Sequence, residues 1–236
     1  MPAPYDILAA GYDAVMAHVD YEHWARYVHA LLQHHGRGVR RVLELGGGTG
    51  ALAVHLQPLG DYDYRLTDGS AAMLEQAQAK IKAAGGPIRC QHADFTTFTL
   101  GDLDADPFDA VVLVYDGMNY LTETADVATL LRRVHAALAP GGLFLMDQST
   151  PANAEDNANG FMDEGTTDAF AYVRTCIHEP ERNRQITEFE LTLDDRTVYE
   201  RHEQRPYTPE QIRDLLETSP LQIEAAYDGR TLNAAR

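Results

Sequence analysis

Positive charge is scarce in this chain of 236 residues, which has 19 Lys and Arg residues against 36 Asp and Glu residues. The formal net charge is −17 at pH 7 when the histidines are neutral. A protein that follows a nucleic-acid backbone needs clustered Lys and Arg to neutralise the phosphates. The composition therefore disfavours a nucleic-acid partner, and we interpret the acidity as a contribution to solubility.

Cysteines and long apolar runs are also scarce. The two cysteines, Cys90 and Cys176, lie far apart in the sequence, so we expect neither a disulfide framework nor a cysteine metal site. No apolar run approaches the length of about 20 residues that a membrane-spanning helix needs. The N-terminus lacks the basic and apolar regions of a signal peptide. We therefore expect a cytoplasmic protein without a membrane partner.

The histidines do not form a metal-binding motif. His18, His23, His29 and His34 are scattered through one region with helical periodicity. Their spacing is not the His-Glu-x-x-His spacing of a zinc helix. We therefore expect no metal.

The most informative segment is Glu44-Leu45-Gly46-Gly47-Gly48-Thr49-Gly50, between a β-rich run and the start of a predicted helix. Glycines in such a turn let the backbone approach a nucleotide-like ligand closely. The spacing fits the Glu/Asp-x-Gly-x-Gly-x-Gly pattern of S-adenosylmethionine (AdoMet) enzymes. It also fits the dinucleotide fingerprint Gly-x-Gly-x-x-Ala, which would end at Ala51. The turn by itself leaves both ligands open.

Strands and helices alternate along the first two thirds of the chain. Residues 5–35 have the apolar spacing of helices, and Gly36-Arg37-Gly38 ends that region. Strands and helices in alternation predict a doubly wound, Rossmann-like parallel sheet of the α/β class. The predicted strands are 40–45, 62–67, 88–92, 110–114 and 143–147, and the predicted helices between them are 49–58, 70–84 and 123–138.

The pattern changes after Thr150. Residues 151–165 are rich in Asn, Asp, Ala and Gly and predict a loop. Antiparallel strands are then predicted, and we expect them above or beside the carboxyl ends of the parallel strands, where ligands bind in such folds. The antiparallel segments are 169–178, 184–193 and 196–205, followed by a helix at 208–218 and a strand at 221–227.

These segments predict a single domain, residues 1–236. We divide it into a helical cap (1–38), a ligand-binding βα core (39–150), an antiparallel insert (151–207), and a final helix and strand (208–236).

Acidic residues stand at the ends of several predicted strands, where parallel sheets bind ligands. Glu44, Asp68, Asp94 and Asp116 follow four strands in turn. Carboxylates suit a ribose because its cis-diol offers two donors to the two acidic oxygens. Asp68 alone would suit NAD equally well, whereas the other three acids favour AdoMet.

At this point the chain resembles class I AdoMet-dependent methyltransferases, particularly small bacterial enzymes that act on small molecules. The segment Tyr115–Leu121 is similar to the Asp-Ser-x-Asn-Tyr-Leu segment of one subgroup, and His202–Tyr207 is similar to its His-x-Gln-Arg-x-Tyr stretch. Tyr12-Asp13 and Trp24 resemble that subgroup's N-terminal cap. The sequence departs from the family at Gly69, where a bulky apolar residue often stands against the adenine; Met73 or Phe95 could supply that contact.

The resemblance implies AdoMet as the cofactor and a small-molecule methyl acceptor that reacts at nitrogen or oxygen, in a monomer or homodimer. Asp68 would meet the ribose, and Asp94-Phe95 the adenine. The implied cofactor-binding residues are Tyr12, Trp24, Glu44, Gly46, Gly48, Gly50, Asp68, Met73, Asp94, Phe95 and Asp116. The candidate catalytic residues are Asp116, Asn119, Tyr120, His202 and Arg205.

Three other interpretations stay open. An NAD(P)-dependent oxidoreductase would also use the glycine turn, and a non-catalytic module could bind AdoMet without transferring its methyl group. Oxygen atoms of Asp116, Asp147 and Gln148 could in principle hold Mg²⁺ for methyl transfer to a catechol-like oxygen.

Overall fold

The computed structural model describes residues 3–158 and 162–227. Five parallel strands form its central sheet, in the order β3-β2-β1-β4-β5. The order changes direction between β1 and β4, and the carboxyl ends there are the usual ligand site of such sheets. This arrangement confirms the predicted α/β class. The strands are β1 (Arg41–Leu45), β2 (Asp63–Asp68), β3 (Ile88–His92), β4 (Phe108–Leu113) and β5 (Leu138–Met146).

Helices cover both faces of the sheet because the strands alternate apolar side chains between two cores. Val42 and Val112 face the core under α2–α4, whereas Leu43 and Leu113 face the core under α5 and α7. The helices are α1 (Tyr12–Val15), α2 (Tyr21–His35), α3 (Ala51–Gly60), α4 (Ala71–Ala84), α5 (Thr124–Ala137), α6 (Pro151–Ala158) and α7 (Pro209–Glu217).

Local sequence signals determine several helix ends. The Ser70 side chain accepts the Met73 N–H at the start of α4, as expected of an N-cap. Gly85 ends the same helix with φ 74°, in the left-handed region that favours glycine. Thr208 and Gln211 form a reciprocal capping box at α7.

A second sheet of four antiparallel strands lies in the order β6-β7-β8-β9. An apolar cluster that includes Leu8, Val15, Phe189 and Leu191 packs the N-terminal segment against this sheet. The N-terminal cap and the antiparallel insert therefore contact each other. The strands are β6 (Met162–Thr166), β7 (Ala171–Glu179), β8 (Arg184–Thr192) and β9 (Thr197–Gln204).

The predicted loop at 151–165 is wrong, because α6 and β6 occupy most of it. Thr150 and Asn153 exchange side-chain and backbone hydrogen bonds at the start of α6, and Pro151 occupies its first position. These are ordinary start signals of a helix. We predicted a loop because the segment is polar overall. The strand β6 is stabilised by pairing with β7, a long-range contact that the local sequence pattern does not indicate.

The predicted strand at 221–227 is also wrong. Residues 221–226 have no regular secondary structure, and Tyr227 makes only an isolated bridge. Residues 228–236, the rest of the predicted final segment, lie outside the described residues.

Candidate active site

The glycine turn leaves β1 through three left-handed residues. Gly46, Gly48 and Gly50 have φ values of 62°, 54° and 75°, which strain any residue with a Cβ. A Cβ on Gly46 would stand 3.0 Å from the Phe95 ring. A Cβ on Gly48 would meet nothing within 4 Å, so open space lies in front of this part of the turn.

Glu44 is buried at the end of β1, with 3% of its surface exposed. Burial raises the pKa of its carboxyl to about 8, although a hydrogen bond from the Tyr64 hydroxyl (3.0 Å) acts in the opposite direction. At pH 7 this carboxyl is therefore largely protonated. A cationic ligand beside it would favour the charged form.

Asp68 connects the end of β2 to the glycine turn. Its Oδ2 accepts the Gly48 N–H at 2.8 Å, and its Oδ1 accepts the Ser70 N–H at 2.7 Å. Burial raises the pKa of Asp68, and these backbone hydrogen bonds partly offset the increase. Each carboxylate oxygen keeps a second lone pair for a hydroxyl donor.

Asp94, Phe95 and Met73 have different environments. Asp94 is exposed, and its Oδ1 accepts both the N–H (2.8 Å) and the hydroxyl (2.6 Å) of Thr96. Phe95 packs against Gly46 and the core under α5. Met73 is buried in the first turn of α4. Phe95 thus lies beside the glycine turn, while Asp94 also closes its own loop.

Aromatic residues of the N-terminal cap meet the end of β4. Trp24 and Tyr21 lie with ring centroids 6.1 and 6.0 Å from that of Tyr115. Tyr12 contacts the Tyr5 ring edge-on at 5.8 Å. A side-chain hydrogen bond between Tyr12 and Tyr21 joins these two groups of rings. The predicted cap residues Tyr12 and Trp24 therefore lie in one aromatic cluster, together with tyrosines that sequence reasoning did not select.

Asp13 connects the cap to the glycine turn, a contact that sequence reasoning missed. Its Oδ1 accepts the Thr49 hydroxyl at 2.6 Å, and its Oδ2 lies 2.7 Å from the Lys80 ammonium. Lys80 also donates to the Thr49 hydroxyl at 2.9 Å. We call Asp13, Thr49 and Lys80 the cap latch, because they join α1 to the turn and to α4.

The backbone after β4 is unusual. Tyr115 and Asp116 both have positive φ values, 68° and 60°, which are uncommon for residues other than glycine. The Asp116 N–H donates to Asp147 Oδ1 at 3.0 Å, and Gln204 Nε2 donates to the Asp116 carbonyl at 3.2 Å.

Burial, together with the nearby Asp116 charge, raises the pKa of Asp147 to about 7. Burial also raises the pKa of Asp116.

Asn119 is fully buried and joins three segments. Its Nδ2 donates to the Ser149 carbonyl (2.9 Å) and to the Arg205 carbonyl (2.7 Å), and its Oδ1 accepts the Ser149 N–H (2.9 Å). Both amide hydrogens are therefore bonded to backbone carbonyls.

The Arg205 guanidinium donates to the Thr122 carbonyl at 3.0 Å and lies 4.8 Å from the centre of the Tyr207 ring.

Tyr120 and His202 form the candidate acid–base pair. The Tyr120 hydroxyl and His202 Nδ1 lie 3.0 Å apart. The Tyr5 hydroxyl makes a short hydrogen bond with the same Tyr120 oxygen. On the other side of the imidazole, Glu200 Oε2 lies 3.5 Å from His202 Nε2. The structure thus brings together two predicted residues and two, Tyr5 and Glu200, that no sequence signal indicated.

The described part of the chain has neither a metal-binding cluster nor a membrane-spanning helix. Across 3–158 and 162–227, no group of three or more His, Cys, Asp or Glu side chains is arranged to hold a metal ion. In the same part of the chain, no helix has both the length and the apolar character needed to cross a membrane.

Comparison with known proteins identifies the family. Residues 42–142 match the family model of a methyltransferase domain. A protein of Geobacillus sp. (strain WCH70), named a putative methyltransferase, is 30% identical over 205 residues, covering 85% of this chain and 80% of the relative.

Solved structures have the same fold. An S-adenosylmethionine-dependent methyltransferase from Clostridium acetobutylicum ATCC 824 superposes with a TM-score of 0.79 at 21% identity, covering 95% of this chain and 90% of the other. The sugar N-methyltransferase KedS8 from Streptoalloteichus sp. ATCC 53650 has a TM-score of 0.68 at 22% identity, with coverage of 87% and 82%.

The strand order, the glycine turn after β1 and the acids at the strand ends are those of a class I AdoMet-dependent methyltransferase. The chain belongs to this methyltransferase family, in its bacterial form, and uses AdoMet as its cofactor.

The residues present suit AdoMet. An added Cβ would meet nothing within 4 Å at Gly48, whose N–H binds Asp68, or at Gly69, which follows Asp68 in the chain. The buried Glu44 carboxyl suits a ligand that carries positive charge.

Proposed function

We propose that the enzyme methylates a nitrogen or oxygen atom of a small polar molecule, as a monomer or homodimer. The hydrogen bond between Tyr120 and His202 carries this proposal, because these two side chains would form an acid–base pair beside the end of β4. Bound AdoMet supplies the activated methyl group. An acceptor N–H or O–H must lose a proton during the reaction, and such a pair can receive it.

We propose that the cofactor is held by the glycine turn and by the strand-end residues. Asp68 would accept hydrogen bonds from the ribose hydroxyls, while Asp94 and Phe95 would bound the adenine. Glu44 and Asp116 would face the methionine end of the cofactor. The remaining members of the proposed set are Gly46, Gly48, Gly50, Met73, Tyr12 and Trp24, which shape the turn, support α4 or cover the site.

The inner face of the antiparallel sheet supports a polar acceptor. Gln185 and Gln204 are paired across β8 and β9, and Thr187 and His202 form the next inner pair. Gln185 Oε1 is buried and has no hydrogen-bond partner among the described residues. A buried polar atom without a partner is costly, so an acceptor that donates a hydrogen bond would stabilise it. The sugar N-methyltransferase among the structural neighbours supports an acceptor of this kind.

For Asn119 and Arg205 we propose positioning roles. Their side chains donate to backbone carbonyls that join the end of β4 to the insert. They would therefore set the position of Tyr120 without contacting the acceptor.

Calorimetric titration and a transfer assay test the function together. We expect S-adenosylhomocysteine to bind and NADH not to bind. Transfer of labelled methyl from AdoMet should then be screened over amino sugars, small amines and phenols. Binding of NADH without S-adenosylhomocysteine would overturn the assignment of the ligand site. Cofactor binding without transfer to any acceptor would favour a non-catalytic binding module.

A further inference from the structure

Glu200 is an acid with no exposed surface in the middle of β9. Its carboxylate accepts three backbone N–H groups of the N-terminal segment: Tyr5 at Oε2 (2.9 Å), and Ile7 and Leu8 (3.0 Å) at Oε1. Burial raises the pKa of this carboxyl, but the His202 contact and the three N–H groups outweigh it and hold the pKa below its ordinary value. Glu200 is therefore a buried anion.

The same anion lies beside one nitrogen of the His202 imidazole. Nε2 is buried, 3.5 Å from Glu200 Oε2, and has no other hydrogen-bond partner among the described residues. A neutral imidazole places its N–H toward an anion and leaves the other nitrogen as an acceptor. Nδ1 then accepts the hydrogen bond from the Tyr120 hydroxyl.

We propose that Glu200 is a positioning residue that holds His202 in the Nε2–H tautomer and couples this state to the seating of residues 5–8 over the site. The inference rests on the proposed roles of Tyr120 and His202 in methyl transfer.

The N-terminal segment depends on Glu200 in turn. Tyr5 has φ 71°, an unfavourable conformation for a bulky residue that persists only where its surroundings hold it. Its N–H is held by Glu200, its hydroxyl by Tyr120, and its ring lies edge-on to the His202 ring at 4.6 Å. The segment is thus seated on the Glu200 carboxylate and against the imidazole that would take the Tyr120 proton.

The proton balance follows from this tautomer. The Tyr120 oxygen receives the proton released by the acceptor, while the Tyr120 hydroxyl proton moves to His202 Nδ1. Tyr120 ends as it began, and His202 becomes an imidazolium paired with the Glu200 carboxylate. The opposite tautomer would block this route, because an Nδ1–H cannot accept a proton from Tyr120.

Nitrogen-15 NMR of the full chain with bound S-adenosylhomocysteine tests the tautomer directly. Long-range ¹H–¹⁵N correlations distinguish the protonated nitrogen, and His202→Gln identifies the His202 signals among the ten histidines. We expect the Nε2–H form at a pH where the imidazole is neutral. A dominant Nδ1–H form in the wild type would overturn the proposal.

Glu200→Gln removes the charge of the carboxylate while keeping nearly the same side-chain size. The glutamine oxygen can still accept from Ile7 and Leu8. Its NH₂ group then faces both the Tyr5 N–H and His202 Nε2, so the segment loses one hydrogen bond and the preferred tautomer is reversed. With an acceptor from the transfer screen, we expect kcat to fall by roughly 100-fold, the lower end of the contribution of a positioned base. The KM for AdoMet should stay within about twofold, since Glu200 contacts none of the proposed cofactor-binding residues directly.

The control is Glu188→Gln on the outer face of β8, where the carboxylate pairs with Arg201 at 2.8 Å. It should change neither kcat nor the His202 spectrum. An unchanged tautomer and kcat in a folded Glu200→Gln protein would overturn the proposal. If no acceptor is methylated by the wild type, the proposed function fails, whereas the NMR result still decides the role of Glu200.

Discussion

Individual acids at the strand ends have distinct tasks in this enzyme. Asp68 holds two backbone N–H groups, and Glu44 is buried against the Tyr64 hydroxyl. Both are part of the fold as well as candidates for the ligand. Mutations at these positions therefore need a measurement of folding beside the measurement of binding.

Replacing Asp68 should weaken binding of the cofactor. Asp68→Ala removes the proposed ribose acceptor and frees the Gly48 and Ser70 N–H groups, so we expect S-adenosylhomocysteine to bind at least about tenfold more weakly, equivalent to about 1.4 kcal/mol. Calorimetry measures the change. Asp63→Ala, at the other end of β2, is the control and should bind normally. Normal affinity in folded Asp68→Ala would remove Asp68 from the site.

Glu44 should make the ligand-free protein less stable as pH rises. Its folded pKa, about 8, lies above its ordinary value of 4.5, so the folded state binds more protons between these values. The free energy of unfolding then falls with pH in this window, by at most about 1.4 kcal/mol per pH unit from this group. Below pH 4.5 the group has no such effect.

Glu44→Gln isolates this effect in denaturant titrations between pH 5 and 8. We expect the variant to lose less stability across that range than the wild type. Parallel curves for the two proteins would show that Glu44 is ionised in both states and would contradict the raised pKa.

The helix α1 depends on long-range contacts. It has four residues and is held by the apolar cluster with Val15 and by the cap latch. The latch connects it to the glycine turn and to α4. The positions of α1, the glycine turn and α4 are thus coupled.

Asp13→Asn should loosen this cap. Loss of the Lys80 ion pair and a weaker Thr49 contact should cost about 1 kcal/mol, the upper range for a partly exposed pair, so AdoMet should bind about fivefold more weakly. Amide exchange of residues 8–15 should accelerate. The control is Glu22→Gln, which breaks the exposed pair with Arg26 on α2. It should change neither the affinity for AdoMet nor the amide exchange of residues 8–15. If the amide exchange of residues 8–15 is unchanged in Asp13→Asn, the cap latch does not hold α1 in place.

For the whole molecule, long-range hydrogen bonds join the parallel sheet, the cap and the insert. Glu200 connects β9 to residues 5–8, and Asn119 connects the end of β4 to β5 and the insert. A ligand that binds in this region should therefore stabilise the entire cooperative unit.

Thermal unfolding tests this cooperativity. At 100 times its Kd, S-adenosylhomocysteine should add about 2.7 kcal/mol and raise Tm by roughly 5–10 °C in a chain of this size. The transition should remain single. Separate transitions for the two sheets, with only one shifted by the ligand, would show that the insert folds independently of the site.

Much of the parallel core was predictable because its signals are local. Buried strands such as Val111–Leu113 are continuously apolar, and Ser70 and Gly85 mark the ends of α4 by their own side-chain and backbone preferences. The prediction of a loop at 151–165 was wrong, because α6 is started by a cap at Thr150 and β6 is stabilised by pairing with β7. In the strand expected at 221–227, residues 221–226 have no regular secondary structure and Tyr227 makes only an isolated bridge.

The sequence by itself determined the class of fold, the glycine turn and the family, since these depend on short-range spacing and on residues at strand ends. Only the tertiary structure decided which side chains meet. Glu200 and Tyr5 are 195 residues apart, and Asp13 and Lys80 are 67 apart, so no periodicity connects them. Such contacts form when β9 and α1 pack over the sheet, because packing brings together groups whose separation along the chain carries no signal.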